Sequence, residues 1–288
     1  MASEWCIGII GGSGLYAMEG IEDAQWIAID TPWGEPSDEI LCGRIGEVKV
    51  RFLPRHGRGH PISPTELNSR ANIDALKRAG CTDILAVSAV GSLREELEPG
   101  RFAVVEQFID RTVQRHSTFF TSGFVTHVSM ADPACPRLSE MAAKAVAKAK
   151  GKVAVGATYL AIEGPQFSTR AESRMYREWG ADVIGMTAMP EAKLAREAEL
   201  PYALIGMITD YDCWRDGEAV DVAQVVAQMQ ANGALAHAMV KNFIAALPKK
   251  RAASPIDTTL DDAIITAPDE HDPAVMAKLD AVAGRLFR

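Results

Sequence analysis

Short apolar runs alternate with amphipathic segments along the chain, and this alternation predicts an α/β fold. Nine runs rich in β-branched residues have the length of strands, and they cover residues 6–10, 26–29, 40–44, 48–53, 84–88, 102–109, 153–162, 182–186 and 202–209. Several are apolar at successive positions, which is typical of strands covered on both faces. The pattern therefore predicts a single α/β domain with a central mixed β-sheet flanked by helices.

Polar residues mark the ends of the predicted helices. Ser63-Pro64-Thr65-Glu66 has the form of a capping box with proline at the first helical position, and Gly80 follows the same helix. Thr169 and Glu172 have the same box spacing. These signals and the 3.6-residue period predict helices over residues 64–79, 136–150, 169–179, 190–199 and 221–246.

The character of the chain changes after Pro248. Residues 1–248 are predicted to form the α/β domain, and residues 249–288 a polar linker followed by an amphipathic helix over 273–287. Such a terminal helix either docks on its own domain or contacts another subunit, and the sequence leaves both open.

Charge and cysteine usage narrow the class of protein. The 288 residues carry a formal net charge of −8, which argues against a nucleic-acid or anionic-membrane partner and leaves small molecules. The five cysteines are scattered without a CxxC pair, so neither a disulfide framework nor a thiolate zinc site is expected. No apolar run approaches about 18 residues, and we expect a soluble cytoplasmic protein.

A glycine-rich turn, Gly11-Gly12-Ser13-Gly14-Leu15-Tyr16, follows the first predicted strand. Such a turn lets backbone N–H groups approach an anion, and Ser13 adds a hydroxyl donor. Gly12 to Ala17 also satisfies GxGxxA, with Asp30 near the dinucleotide-binding spacing. A crossover helix does not fit between Ala17 and Trp26, so a nicotinamide site is disfavoured.

A basic cluster, Arg55-His56-Gly57-Arg58-Gly59-His60, comes directly after the fourth predicted strand. Arginine suits phosphate because its donors are forked, so an oxyanion clamp is one interpretation and a solvated loop the other. His56 and His60 have a metal-pair spacing that needs a helix, which Gly57 and Gly59 oppose. We therefore expect no metal.

Three further strand ends carry polar groups, at the edge where α/β sheets bind ligands. They are the segments 88–92, 185–187 and 209–212, which read SAVGS, GMT and TDYD. Asp210 and Asp212 beside a buried strand are costly unless they are paired or functional, although a local capping role is the alternative.

Taken in order, the blocks of sequence resemble a known family. IIGGSGLY, LPRHGRGH, NSRANIDALKRAGC, SAVGSLREELEPG, EGPQFSTRAES, GMTAMPEAKLAREA and TDYDCW are similar to successive blocks of the S-methyl-5′-thioadenosine phosphorylases, a trimeric branch of the purine nucleoside phosphorylases. The resemblance spans residues 7 to about 214. It implies phosphorolysis of 5′-methylthioadenosine by a homotrimer, with inorganic phosphate as co-substrate and no metal or organic cofactor.

The resemblance also implies a role for each matching residue. Phosphate would be bound by Ser13, Arg55, His56, Ser88, the Ala89 backbone and Thr187, and the ribose by Met186. Adenine would contact Phe167, Ser168, Asp210 and Asp212. From the chemistry of base departure we assign the proton donor to Asp210 and the acceptor of the exocyclic amine to Asp212. The methylthio group would be enclosed by His127, Thr209, Val222, Val225 and Val226, although core packing also explains the valines.

Two departures from the family accompany the resemblance. Ser13 and Ser88 stand where threonine is common, which keeps the hydroxyl, and Gly185 stands where human-like members carry asparagine. The open alternatives are a phosphorylase of adenosine or of 6-oxopurine nucleosides such as methylthioinosine or inosine. More distant ones are a nucleosidase, which would not need Arg55 and His56, a nicotinamide oxidoreductase and a non-catalytic nucleoside-binding protein.

Overall fold

The fold was taken from a computed structural model that describes residues 4–12, 15, 20–216 and 220–287. Each of the nine predicted strands is present, with ends shifted by a few residues. The strands are β1 Cys6–Gly11, β2 Glu22–Ile27, β3 Ile40–Ile45, β4 Val48–Pro54, β5 Asp83–Ser92, β6 Phe102–Arg111, β7 Val153–Ile162, β8 Val183–Gly185 and β9 Tyr202–Asp210.

The strands form one mixed sheet in the order β2-β3-β4-β1-β5-β8-β7-β6-β9, as the sequence predicted for its class. β1 pairs in parallel with β4 and β5, whereas β5 pairs antiparallel with β8. A further parallel pairing of β5 with β9 closes the last five strands into a ring. Because of this closure, the ends of β5, β8 and β9 meet at one place.

Helices cover both faces of the sheet. They are α1 Ser69–Arg78, α2 Pro136–Lys148, α3 Arg170–Glu178, α4 Ala188–Glu197, α5 Val222–Ala245 and α6 Pro273–Lys278. Successive residues of β5 point to opposite sides: Ile84 lies in the core with α1 and α4, and Leu85 in the core with α2 and α5. The uninterrupted apolar run of β5 therefore reflects burial of both faces of the strand, as the sequence predicted. Among the described helices, none combines the length and hydropathy that crossing a bilayer requires.

The predicted helix starts have mixed outcomes. Thr169 and Glu172 form the expected capping box, and the Asp221 side chain caps α5 by accepting from the Ala223 N–H at 2.8 Å. The predicted start of α1 is wrong, because α1 begins at Ser69 with Asn68 as its cap. The Ser63 hydroxyl donates to the Glu66 carboxylate at 2.7 Å and caps no backbone N–H, so residues 63–66 form only a turn.

The C-terminal segment packs on its own chain. Within the predicted 273–287 helix, α6 ends at Lys278 and a 3-10 turn covers Gly284–Phe287. Leu279 and Val282 are buried in the core that contains α1 and α4. Arg251 of the predicted polar linker is buried and pairs with Asp83 at 2.5 Å. These contacts support docking on the same chain, and a subunit contact by the tail stays a prediction.

Candidate functional site

A cavity of about 560 Å³ lies where the strands end. Residues at or just after the ends of β1, β4, β5, β8 and β9 line it, as do the residues that open α5. The lining includes Gly12, Arg55, His56, His60, Ser88, Ala89, Gly91, Phe167, Gly185, Met186, Thr187, Thr209, Asp210, Asp212, Val222, Val225, Val226 and Met229. The strand-end segments that the sequence singled out therefore share one cavity.

Arg55 is held beneath this cavity by a carboxylate that the sequence did not indicate. Its Nε and Nη2 donate to the two oxygens of Glu191 at 2.9 and 3.1 Å, and its Nη1 donates to the Val87 carbonyl at 3.0 Å. The Tyr202 hydroxyl donates to Glu191 at 2.7 Å. Burial disfavours the charge of Arg55, but Glu191 outweighs it and raises the pKa of the guanidinium further above its usual range. Arg55 is thus a fixed cation whose charge Glu191 offsets.

His56 is a neutral donor–acceptor at the same end of the cavity. Burial lowers its pKa to about 4, and the Arg55 charge acts in the same direction. Its Nδ1 lies 2.9 Å from the Ile62 carbonyl oxygen. Since a carbonyl only accepts, Nδ1 carries the proton. His60 stacks on the imidazole with ring centroids 4.1 Å apart.

The hydroxyl groups expected to bind phosphate come together across the sheet. Ser88 Oγ on β5 and Thr187 Oγ1 after β8 lie 3.4 Å apart, and both residues line the cavity beside Arg55 and Ala89. Gly12 lines it too. Ser13 lies outside the described residues, so its predicted contact is not placed. The described residues thus supply two hydroxyls, a guanidinium and an imidazole to one cavity, and this set of groups suits an oxyanion.

Asp210 and Asp212, called the acid pair below, lie elsewhere in the same cavity, at the end of β9. The Asp212 N–H donates to Asp210 Oδ1 at 2.8 Å, and the Thr209 hydroxyl lies 2.6 Å from Asp210 Oδ2. A Cβ at Gly91 would come within 2.9 Å of Asp210 Oδ1, so only glycine lets the carboxyl lie against β5. Asp212 has φ 53°, a left-handed conformation that costs energy in a non-glycine residue and is common at functional sites.

One oxygen of this pair is left for a ligand. Asp212 Oδ2 is buried and has no hydrogen-bond partner among the described residues. Burial raises the pKa of Asp212, and the neighbouring Asp210 carboxylate acts in the same direction. The unpartnered Asp212 Oδ2 can therefore accept a hydrogen bond from an amine of a ligand.

The two residues expected to contact a base, Phe167 and Ser168, differ in their position relative to the cavity. Phe167 lines the cavity and is 47% exposed, so its ring is accessible for stacking. The Ser168 hydroxyl is buried without a partner among the described residues. Cys213 Sγ, next to Asp212, donates to the Ser168 carbonyl at 3.1 Å. Ser168 therefore lies beside the residue that follows Asp212, but it is not among the described residues that line the cavity.

Arg115 connects the two loops that carry Phe167 and Met186. Its Nε donates to Glu163 Oε1 at 2.9 Å, and its Nη2 donates to the Glu163 carbonyl at 2.6 Å. Its Nη1 donates to the carbonyls of Met186 and Met189 at 2.5 and 2.8 Å. Arg115 was missed because its segment has no periodicity and its acceptors lie at least 48 residues away in sequence.

The start of α5 gives the cavity an apolar side. Val222, Val225 and Val226 all line it, as does Met229 one turn later, which the sequence did not indicate. Val222 and Val226 are 61% and 39% exposed, so simple core packing does not explain these two valines. The spacing i, i+3, i+4, i+7 places all four on one helix face.

Comparison with known proteins settles the family. Residues 6–245 match the model of the phosphorylase superfamily. The S-methyl-5′-thioadenosine phosphorylase of Cereibacter sphaeroides is 54% identical over 98% of both chains, and that of Bradyrhizobium diazoefficiens is 51% identical over 98% of both chains. This chain belongs to the S-methyl-5′-thioadenosine phosphorylase family. The resemblance inferred from the sequence blocks is thereby confirmed.

Solved structures of the S-methyl-5′-thioadenosine phosphorylase family confirm the fold class. A methylthioadenosine phosphorylase from an antarctic soil metagenomic library superposes with a TM-score of 0.90 at 44% identity, covering 97% of this chain and 99% of that one. A mutant adenosine/methylthioadenosine phosphorylase from Schistosoma mansoni, in complex with methylthioadenosine, gives a TM-score of 0.80 at 37% identity, covering 84% of this chain and 91% of that one.

The departure from the family at Gly185 has a local cause. A Cβ at this position would lie 2.1 Å from the Tyr159 hydroxyl oxygen, which occupies the space that a side chain needs. Tyr159 is fully buried, and its hydroxyl accepts from the Thr187 N–H at 3.4 Å. Tyr159 therefore leaves no room at position 185 for the asparagine of human-like family members, and its hydroxyl holds the backbone of Thr187.

His127, which the family resemblance implied for the methylthio group, is not among the described residues that line the cavity of its own chain. It is exposed. Its N–H donates to the Ala263 carbonyl at 2.9 Å, next to a bridge between Thr126 and Ile264. These bonds fasten its segment to the C-terminal tail. A contact between His127 and the methylthio group then requires a second chain.

Proposed function

We propose that this protein cleaves 5′-methylthioadenosine with inorganic phosphate, giving adenine and 5-methylthioribose 1-phosphate. The observation that carries the proposal is one cavity with Arg55, His56, Ser88 and Thr187 in one part and Asp210 and Asp212 in another. A nucleophilic anion and a leaving purine need these two environments within the length of one nucleoside.

Phosphate attacks C1′ of the ribose while the purine departs through an oxocarbenium-like state. Arg55 and the hydroxyls of Ser88 and Thr187 hold the anion in line with C1′, which makes the attack effectively intramolecular. The backbones of Ala89 and Met186 support the phosphate and the ribose. Because the attacking anion is fixed before the bond breaks, positive charge developing on the ribose is stabilised as it forms.

The departing purine takes up negative charge that a proton must neutralise. We assign this proton to Asp210, donating to N7, and the exocyclic amine to Asp212, whose buried Oδ2 is in need of a donor. Phe167 and Ser168 complete the base contacts. The valines of α5 and Thr209 take the methylthio group. No metal or organic cofactor enters this scheme, and among the described residues no group of three or more potential metal ligands converges.

Adenosine is the alternative that a comparison favours, since one structural neighbour is an adenosine/methylthioadenosine phosphorylase. Adenosine differs at the 5′ position, where it carries a polar hydroxyl. The apolar face of Val222, Val225, Val226 and Met229 favours a thioether over that hydroxyl. We therefore rank methylthioadenosine above adenosine. We rank both above the 6-oxopurine nucleosides because Asp212 Oδ2 needs a donor such as the 6-amino group.

Adenine release is expected to depend strictly on phosphate. Purified protein incubated with methylthioadenosine should form adenine and a phosphorylated sugar in equal amounts when phosphate is present, because Arg55 and His56 suit an anionic nucleophile and water as nucleophile would not need them. Chromatography of base and sugar products measures both. Adenosine assayed in parallel gives the relative preference. Full-rate adenine release in phosphate-free buffer would identify a nucleosidase instead.

We further propose a cytoplasmic homotrimer that acts on small molecules and binds neither nucleic acid nor membrane. The net charge of −8 supports the absence of polyanionic partners. The position of His127 supports assembly. His127 lies outside the cavity of its own chain, so it would contact a methylthio group only in the cavity of a neighbouring chain. Val113 and Ile265, which are 77% and 61% exposed, offer apolar surface for such a contact.

Light scattering is expected to give three times the chain mass of 31.1 kDa at micromolar concentration. His127→Ala should raise KM for methylthioadenosine several-fold and leave KM for phosphate unchanged, since the methylthio group lies far from the anion. Lys144→Ala, on an exposed part of α2, is the matched control and should change neither constant. A monomer with full activity would overturn the assembly and the role of His127 together.

A further inference from the structure

The imidazole of His56 has one nitrogen that is already committed. Nδ1 donates its proton to the Ile62 carbonyl at 2.9 Å, and His56 lines the cavity beside Arg55. Nε2 is then the atom that His56 offers to the cavity. In a neutral imidazole with Nδ1 protonated, Nε2 is an acceptor. An acceptor facing an anion is repelled unless a proton lies between the two.

Charged groups around His56 oppose its protonation. The guanidinium groups of Arg55 and Arg115 and the stacked ring of His60 act from neighbouring segments, and all three disfavour a second positive charge. The carboxylates of Glu191 and Glu163 are bonded to Arg55 and Arg115 respectively. The protein therefore holds His56 as a neutral acceptor where an oxyanion is to bind.

We propose that His56 makes the site selective for tetrahedral anions that carry their own proton. Hydrogen phosphate has one P–O–H group that donates to Nε2, while Arg55, Ser88 and Thr187 donate to its other oxygens. Sulfate is fully deprotonated near neutral pH and has no such donor. This inference rests on the proposed function, because it places phosphate at the Arg55–His56 corner.

The proposed reaction also uses the P–O–H proton that hydrogen phosphate donates to His56. When a phosphate oxygen bonds to C1′ and the C1′–N9 bond breaks, the sugar phosphate leaves as a dianion and adenine gains one proton. Hydrogen phosphate enters with that proton, so it must lose it during or after attack. His56 Nε2 receives the phosphate proton, because the product dianion that lies against it favours the imidazolium that Arg55 and Arg115 otherwise oppose. Asp210 supplies the proton of adenine, and exchange with solvent restores both groups. Charge and protons balance.

Sulfate inhibition is expected to weaken steeply as the pH rises. Sulfate binds only when a proton from solvent occupies Nε2, so its inhibition constant against phosphate should rise about tenfold per pH unit between about pH 6.5 and 8.5. The phosphate KM is not expected to rise in parallel, because hydrogen phosphate brings the proton. Initial rates of methylthioadenosine cleavage by the full chain measure both constants.

His56→Gln provides the matched variant. The glutamine amide presents an N–H near the position of Nε2 without titrating. Sulfate inhibition of this variant should be independent of pH, and its kcat should fall because the acceptor of the phosphate proton is lost. A purely structural role of His56 would lower activity but leave the pH dependence of sulfate inhibition in place.

Calorimetric titration of sulfate into the wild-type protein gives a measurement without turnover. In two buffers of different ionisation enthalpy near pH 7.5, we expect uptake of about one proton per bound sulfate. Zero uptake, or sulfate inhibition that does not change with pH, would overturn the role of His56. Absence of any phosphorolysis would instead overturn the proposed function, so the two failures are distinguishable.

Discussion

Replacing Asp210 by asparagine is expected to slow methylthioadenosine cleavage by two to three orders of magnitude, about the contribution of a positioned proton donor. Asparagine keeps the shape and can still accept from the Asp212 N–H, now 2.8 Å from Oδ1. It cannot deliver a carboxylic proton to N7. Single-turnover rates in saturating phosphate isolate this step from product release.

Asp210 and Asp212 should also determine which purine base the protein accepts. Wild-type protein is expected to prefer methylthioadenosine to methylthioinosine by roughly 10⁴ in kcat/KM, because the buried Asp212 Oδ2 would face a carbonyl oxygen in place of an amine. Asp210→Asn should narrow that ratio, since it slows cleavage of the adenine substrate by removing the proton donor to N7. Asp212→Asn is the matched control and should affect base choice more than the rate of bond cleavage. Equal wild-type rates on the two bases would show that the pair is misassigned.

Removing Arg55 is expected to affect both folding and phosphate use. Arg55→Ala leaves Glu191, which is 3% exposed, without its ion-pair partner, and such a loss lowers the free energy of unfolding by about 3–5 kcal/mol. Each lost charged hydrogen bond to phosphate costs about 1.5–3 kcal/mol more in binding. Urea unfolding and the two KM values, for phosphate and nucleoside, measure the two effects.

A combined variant separates stability from function at this position. Arg55→Met, Glu191→Met and Tyr202→Phe together replace the buried network with apolar groups of similar size, a change that is often nearly neutral for folding. The combined variant should regain most of the unfolding free energy but not the phosphate affinity. Recovery of both would show that Arg55 serves the fold alone.

The sequence predicted those parts of the protein that depend on short segments. The strand that became β5 was recognisable because its residues alternate between two buried faces, with Ile84 on one and Leu85 on the other. Caps such as Thr169 and Asp221 act within a few residues of their own helix. Local patterns failed at Ser63, where the Glu66 side chain captured the expected capping group.

Sequence alone also placed the chemistry at strand ends, and the family resemblance gave each residue a role. Only the tertiary structure supplied the partners that orient those residues. Glu191 lies 136 residues from Arg55 in sequence. Arg115 connects two loops, of which the first carries Glu163, 48 residues further along the chain. Closure of β5 onto β9 brings Gly91 against Asp210, and Tyr159 fills the space beside Gly185.

The division has one physical reason. Hydrophobic period, turn residues and helix caps act between neighbours in the chain, so they are written in the sequence at short range. Ion pairs, close packing at glycine and the choice of which nitrogen of His56 carries a proton depend on groups that only folding brings within about 3 Å. The residue types at the site were therefore set by the sequence, and their charge and orientation by the fold.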